Sequence, residues 1–129
     1  MHYLALATDY DGTIAHDGVV DEATIGALER LRGGARRLIL VTGRELSDLR
    51  GVMPRLDLFD MIVAENGALL FDPANQEEHA LAEAPPQRFV ERLRQLGVSP
   101  LSVGRVIVAS WQRHETKVLT AIRVLELDL

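Results

Sequence analysis

The stretch Tyr3-Leu4-Ala5-Leu6-Ala7-Thr8-Asp9-Tyr10-Asp11-Gly12-Thr13 decides how the rest of the chain is read. Residues 3–8 barely alternate between apolar and polar, which is the pattern of a strand buried on both faces of a parallel sheet. The run stops at two carboxylates, Asp9 and Asp11, with one residue between them. Both can face one ligand if the chain turns there, and Gly12 permits the turn. Such a pair suits phosphoryl transfer. One oxygen of Asp9 can hold magnesium while the other attacks phosphorus, with the cation screening the repulsion between the two anions. Asp11 can give a proton to the leaving alkoxide and take one from the hydrolytic water. An acidic turn without chemistry would leave the same two residues.

Working outward, Asp21 offers a helix N-cap with Glu22 in the first turn, and Ile25, Leu28 and Leu31 follow at helical spacing. Gly33 and Gly34 end that helix. Residues 38–41 read as a second strand. A second helix carries Leu46, Leu49 and Met53 and is closed by Pro54. Residues 61–64 read as a third strand and 68–71 as a fourth. This β-α-β-α-β order implies an α/β fold built on a partial doubly wound, Rossmann-like parallel sheet. Residues 72–86 are polar, acidic and proline-bearing, so the expected organisation is 1–72, a linker over 73–84, and a further segment over 85–129. That segment shows a helix with Phe89, Val90, Leu93 and Leu96 on one face, then a strand over 106–109. A last helix with Val118, Leu119, Ile122 and Leu125 on one stripe runs almost to the end.

Two more polar clusters follow strands: Thr42-Gly43-Arg44 and Glu65-Asn66-Gly67. Ligands of open parallel sheets bind outside the carboxyl ends of the strands, so three clusters at one edge would converge on one pocket. Thr42 adds a hydroxyl, and Gly43 lets the backbone approach a phosphate closely, where amides at the start of the next helix could cradle it. Taken singly, Thr-Gly-Arg reads equally as a helix N-cap, and Asn66-Gly67 as a tight hairpin turn.

Composition limits the partners. Among 129 residues, 47% are hydrophobic and 26% charged, enough for a core and no argument for disorder. A net charge of -5 and a pI near 5.3 disfavour nucleic acid, which needs clustered Lys and Arg. They leave open a small phosphorylated metabolite, which needs only local donors and a cation. Cysteine is absent, which excludes disulfides and thiolate metal sites. His2, His16, His79 and His114 have no ligand spacing that would suggest zinc. No stretch approaches the roughly 18 apolar residues that span a membrane, and the N-terminus lacks a basic leader, so a cytoplasmic location is expected. Trp111 reads as packing and Arg36-Arg37 as a solvated run.

Together, Asp9-Tyr10-Asp11-Gly12-Thr13-Ile14, Val41-Thr42-Gly43-Arg44 and Ala64-Glu65-Asn66-Gly67-Ala68 resemble the haloacid dehalogenase (HAD) superfamily of phosphatases. The similarity is to the Cof-like or sucrose-phosphate-phosphatase-like branch, which inserts a large α/β cap after the third strand. It covers residues 1 to about 72 well, and from about 85 onward, more loosely, it looks like the opening of the cap. The resemblance implies an aspartyl-phosphate mechanism with Asp9 as nucleophile and Asp11 as acid/base. Magnesium would be held by the Asp9 carboxylate and the Asp11 carbonyl, Thr42 would bind the phosphate, and Gly43, Arg44 and Asn66 would lie near it.

The family also uses a later lysine and a Gly-Asp-x-x-x-Asp-like segment. This sequence has no Gly-Asp pair, and its one lysine, Lys117, follows Asn66 too soon to leave room for a full cap. The expectations are therefore the N-terminal part of a longer protein, a weak or inactive catalyst alone, and an apolar sheet edge open to self-association or to pairing with a missing segment. A phosphomutase using the same chemistry and a non-catalytic binding or assembly module are the alternatives.

Overall fold

Seven strands and four helices were identified in a computed structural model, which describes residues 2–129. They fall into two units, Met1–Leu81 and Ala82–Leu129. The first contains β1 (Ala5–Asp9), α1 (Glu22–Gly33), β2 (Arg37–Val41), α2 (Leu46–Val52), β3 (Met61–Ala64), β4 (Leu69–Asp72) and β5 (Glu77–Ala80). The second contains α3 (Gln87–Gln95), β6 (Leu101–Val103), β7 (Val108–Ser110) and α4 (Glu115–Val124).

Apolar periodicity explains the first unit. The sheet runs β1-β2-β3-β4-β5, with β1, β2 and β3 parallel and β4 and β5 antiparallel. Register places Leu40 beside Ile62, Ile62 beside Phe71, and Ala64 beside Leu69. With Leu38, these form one fully buried face. Ile39, Met61, Val63 and Leu70 point the other way and are only half-buried. The core on the buried side is completed by Tyr10, Leu28, Leu46, Leu49, Met53 and Phe59. α1 starts where expected, the Asp21 carboxylate accepting from the Thr24 amide at 2.7 Å. Asp60 joins the starts of β2 and β3: its amide donates to the Leu38 carbonyl and its carboxylate accepts from the Leu38 amide, both at 2.8 Å.

The α/β class and the partial Rossmann-like sheet agree with the sequence reading, with five differences. β1 is not buried on both faces; it is an edge strand, and Ala5, Leu6 and Ala7 are exposed. Its composition suits a sheet interior, but among the described residues β2 is its one neighbour. The fourth strand is antiparallel, because only the short turn of residues 65–68 separates it from β3, too short for the crossover a parallel strand needs.

The segment expected as a linker over 73–84 contains β5. Asx turns shape its approach, with Asp72 accepting from the Ala74 amide and Asn75 from the Glu77 amide. β5 reads as loop because Glu77, Glu78 and His79 carry no apolar pattern; backbone pairing with β4 makes it a strand.

In the second unit, the expected strand over 106–109 is a hairpin of β6 and β7, and its three-residue strands are too short to show a period. α4 stops at Val124, and Leu119, expected on its buried stripe, is 45% exposed. The buried core here is Phe89, Leu93, Val98 and Ala121, with Leu96, Leu101, Val108, Val118, Ile122 and Leu125 packed around it.

Candidate active site at the strand ends

The three polar clusters follow strands that finish level. Asp9 pairs with Val41 and Val41 with Val63, so Asp9, Thr42 and Ala64 leave the sheet within one residue of the same level. Backbone bonds join the second and third clusters: Asn66 donates to the Thr42 carbonyl at 3.3 Å, and Glu65 to the Arg44 carbonyl at 3.0 Å. A side chain joins the first to the second. Arg44 Nε and Nη2 donate to the two oxygens of Asp11 at 2.7 and 2.8 Å, a bidentate fork.

Sequence folds each cluster locally. After β1 the chain wraps tightly, with the amides of Thr13, Ile14 and Ala15 all directed at the Tyr10 carbonyl and Gly12 at a φ of +75°. Tyr10 is fully buried beneath this loop, and its hydroxyl donates to the Gly18 carbonyl at 2.8 Å. Asp9 stays exposed, accepting one hydrogen bond from Thr13 Oγ1 at 3.1 Å. Thr42 is buried, and its hydroxyl accepts from the Arg44 amide at 3.1 Å, which fixes the turn between β2 and α2. Gly43 is needed for space: a Cβ there would lie 2.7 Å from Asn66 Oδ1. Glu65 and Asn66 both hold positive φ, 52° and 55°, a costly conformation for residues with side chains. Asn66-Gly67 is thus a hairpin turn and part of the cluster at once.

Electrostatics centre on Arg44. Besides Asp11, it donates through Nη1 to Asp48 at 2.6 Å, and it lies 5.6 Å from the Tyr10 ring centroid. The guanidinium fork holds the Asp11 carboxyl below the usual carboxylate range, despite partial burial pushing the other way. Asp11 and then Asp48 raise the Arg44 pKa in turn. Burial raises the Tyr10 phenol, opposed by the nearby guanidinium.

The sequence motifs give no sign of Asp48, and they hold Tyr10 and Glu65 inside the clusters without a part for either. Asp48 sits four residues after Arg44, a spacing that brings opposite charges together and could have flagged it. Tyr10 is the apolar floor under Arg44. Glu65 is 1% exposed, which no local pattern indicated.

Asp9, Asp11, Thr42, Gly43, Arg44 and Asn66 therefore share one edge of one sheet. Among the described residues no group of three or more His, Cys, Asp or Glu side chains could hold a metal. Arg44 engages both Asp11 carboxylate oxygens, which leaves the Asp9 carboxylate as the exposed acidic donor of the first cluster. A hard oxygen donor of that kind fits magnesium, which keeps most of its waters and takes one or two protein ligands plus substrate phosphate.

A mixed sheet with carboxylates and a Thr-Gly-Arg turn at its strand ends is an α/β domain with one candidate site at that end. The chain belongs to the haloacid dehalogenase-like hydrolase family, whose model matches residues 6–104. It is 42% identical over 69 residues to a phosphoglycolate phosphatase of Metallosphaera sedula, covering 51% of this chain and 31% of that protein. It is 32% identical over 111 residues to a phosphoglycolate phosphatase of Aeropyrum pernix, covering 84% and 42%. A solved sugar phosphatase, described as HAD subclass IIB, matches with a TM-score of 0.55 and 25% identity, over 97% of this chain and 50% of its own. The chain spans less than half the length of the curated relatives it matches.

Proposed function

We propose that this chain carries the nucleophile side of a magnesium-dependent phosphate monoester hydrolase working through an aspartyl-phosphate. The supporting observation is the joining of all three clusters at one sheet edge by the Arg44–Asp11 fork and the Thr42–Asn66 backbone bond. Asp9 is the exposed carboxylate and acts as nucleophile, oriented by Thr13. The Thr42 turn, the Arg44 guanidinium and Asn66 receive the phosphate. Magnesium held by the Asp9 carboxylate and the Asp11 carbonyl would screen the charge between nucleophile and phosphate.

Asp11 is the acid/base, and its pairing with Arg44 bears on that role. A carboxylate clamped by a guanidinium resists protonation. An incoming phosphate dianion competes for the same guanidinium, and as Arg44 turns to it, Asp11 loses the partner that keeps it ionised. Proton transfer is thereby tied to substrate arrival.

Residues 85–129 form the opening of a cap in this reading. The substrate is a small phosphorylated acid or sugar, as the names of the relatives suggest, and the setting is cytoplasmic. Residues 1–129 hold no Gly-Asp pair and one lysine, Lys117, so in this reading turnover by this stretch taken alone is slower by a factor of about 10² or more, given what such electrostatic groups contribute. A non-catalytic phosphate-binding role is favoured by one observation, the engagement of both Asp11 oxygens by Arg44. Phosphate release from phosphoglycolate and a set of sugar phosphates, with magnesium, separates the two. Slow release that Asp9→Asn abolishes is the expected result, and equal release from the two proteins overturns the catalytic reading.

A further inference from the structure

Arg44 is held at both ends of its side chain. The turn after β2 fixes its backbone: the amide donates to the Thr42 hydroxyl at 3.1 Å, and the carbonyl accepts from the Glu65 amide at 3.0 Å. The guanidinium is gripped from two sides. Its Nε–Nη2 edge faces Asp11, and Nη1 donates to Asp48 of α2 at 2.6 Å. Gly18 lies beside Nη2, where a Cβ would come within 3.3 Å, and the Tyr10 ring centroid is 5.6 Å away. Asp48 stands on a firm element, because Leu46 and Leu49 anchor α2 in the core. Its one ion pair among the described residues is with Arg44. A partly exposed pair at that spacing adds little to stability. Its consequence is direction: it sets where the guanidinium points.

We propose that Asp48 is a positioning residue, which holds the Arg44 guanidinium at the strand ends while an arriving phosphate takes the Nε–Nη2 edge from Asp11. The inference rests on the reading of this edge as a phosphate-receiving site. Two carboxylates share one guanidinium, and a dianion can displace one of them without drawing the group out of place only if the other stays. Asp11 is the one at the site, two residues after Asp9, whereas Asp48 lies in the first turn of α2. With Nη1 kept by Asp48, the freed edge stays aimed at the strand ends, and its two parallel N–H groups match two phosphate oxygens. Without that tether the long side chain has many rotamers, and ordering them would weaken phosphate binding. Charge alone predicts the opposite. Asp48 repels a dianion, so a mere neighbouring charge would tighten phosphate binding when removed. The sign of the effect separates tether from charge.

The test is a titration of the full chain with inorganic phosphate at constant pH, with magnesium present, followed by NMR. The Arg44 Nε–H signal, assigned by its loss in Arg44→Lys, reports the guanidinium, and the amide signals of α2 report the fold. Asp48→Ala is expected to weaken phosphate binding several-fold and to broaden the Arg44 signal in the bound state, with the α2 amides unmoved. Asp48→Asn keeps an oxygen that accepts from Nη1 and drops the charge, so it is expected to bind phosphate at least as tightly as the wild-type chain. Tighter binding by both variants, or wild-type binding by Asp48→Ala, overturns the positioning role and leaves the phosphate site standing. A wild-type chain that binds no phosphate, or an Arg44→Lys chain that binds it equally well, overturns the reading of the site and the positioning role with it.

Discussion

The two units spend their apolar residues differently. The first builds a continuous buried layer from Tyr10 through Leu38, Leu40 and Ile62 to Phe71, and this layer supports the strand ends. The second packs α3 and α4 on a two-stranded hairpin with little fully buried between them. It leaves a cavity of about 390 Å³ lined by Phe89, Leu93, Trp111 and Val118. The difference bears on where backbone strain serves a site, since Asp17, Ala35 and Gln76 also take positive φ but in exposed turns. Glu65 and Asn66 keep positive φ only because Ala64, Leu69 and the Thr42 turn fix the backbone around them. Among the described residues, the second unit has a single such non-glycine position, Glu126, and it lies in the exposed turn after α4.

The sharpest way to break this comparison is to hollow each core in turn. Phe71→Ala is expected to remove about 3–5 kcal/mol from the first unit, and Leu93→Ala about 2–5 kcal/mol from the second. Native-state hydrogen exchange reads the two separately. Phe71→Ala should strip protection from β2, β3 and β4, whereas Leu93→Ala should expose α3, α4 and the β6–β7 hairpin while the sheet amides stay protected. Loss of sheet protection in Leu93→Ala would show that the cores are not separate.

A smaller effect tests how the first unit sets its register. Asp60 accepts from the Leu38 amide and from Arg37 Nη1, and the Leu38 bond is the main reason its carboxyl lies below the usual carboxylate range. A pKa lowered on folding stabilises the fold above the unfolded-state value of about 4, and that contribution fades as pH falls through the folded-state value. Asp60→Asn should therefore cost about 1 kcal/mol near neutral pH by denaturant titration. The deficit should shrink in acid. An equal deficit at both ends of the range would assign the loss to something other than the carboxylate.

Much of this was legible in the sequence, for identifiable reasons. The α1 cap, the strands β2 and β3 and the three clusters announce themselves because apolar runs end abruptly in polar residues at each strand's carboxyl end. β5 is hidden because an edge strand held by backbone pairing needs no apolar alternation. β1 reads as an interior strand, and among the described residues it pairs with β2 alone, a matter of topology that its own run does not carry. The Arg44–Asp11 fork spans 33 residues and depends on the register of Asp9 against Val41, which no local pattern carries. Asp48 was within reach, since its spacing from Arg44 is a local signal.

The most direct test of the central claim is covalent. Incubate the chain with magnesium and acetyl phosphate, quench in acid, and locate any phosphoryl group by mass spectrometry. On the proposed reading Asp9 takes up the group, with none on the Asp9→Asn chain. A wild-type chain that takes up none, or an Asp9→Asn chain labelled to the same extent, would contradict the assignment of Asp9 as nucleophile.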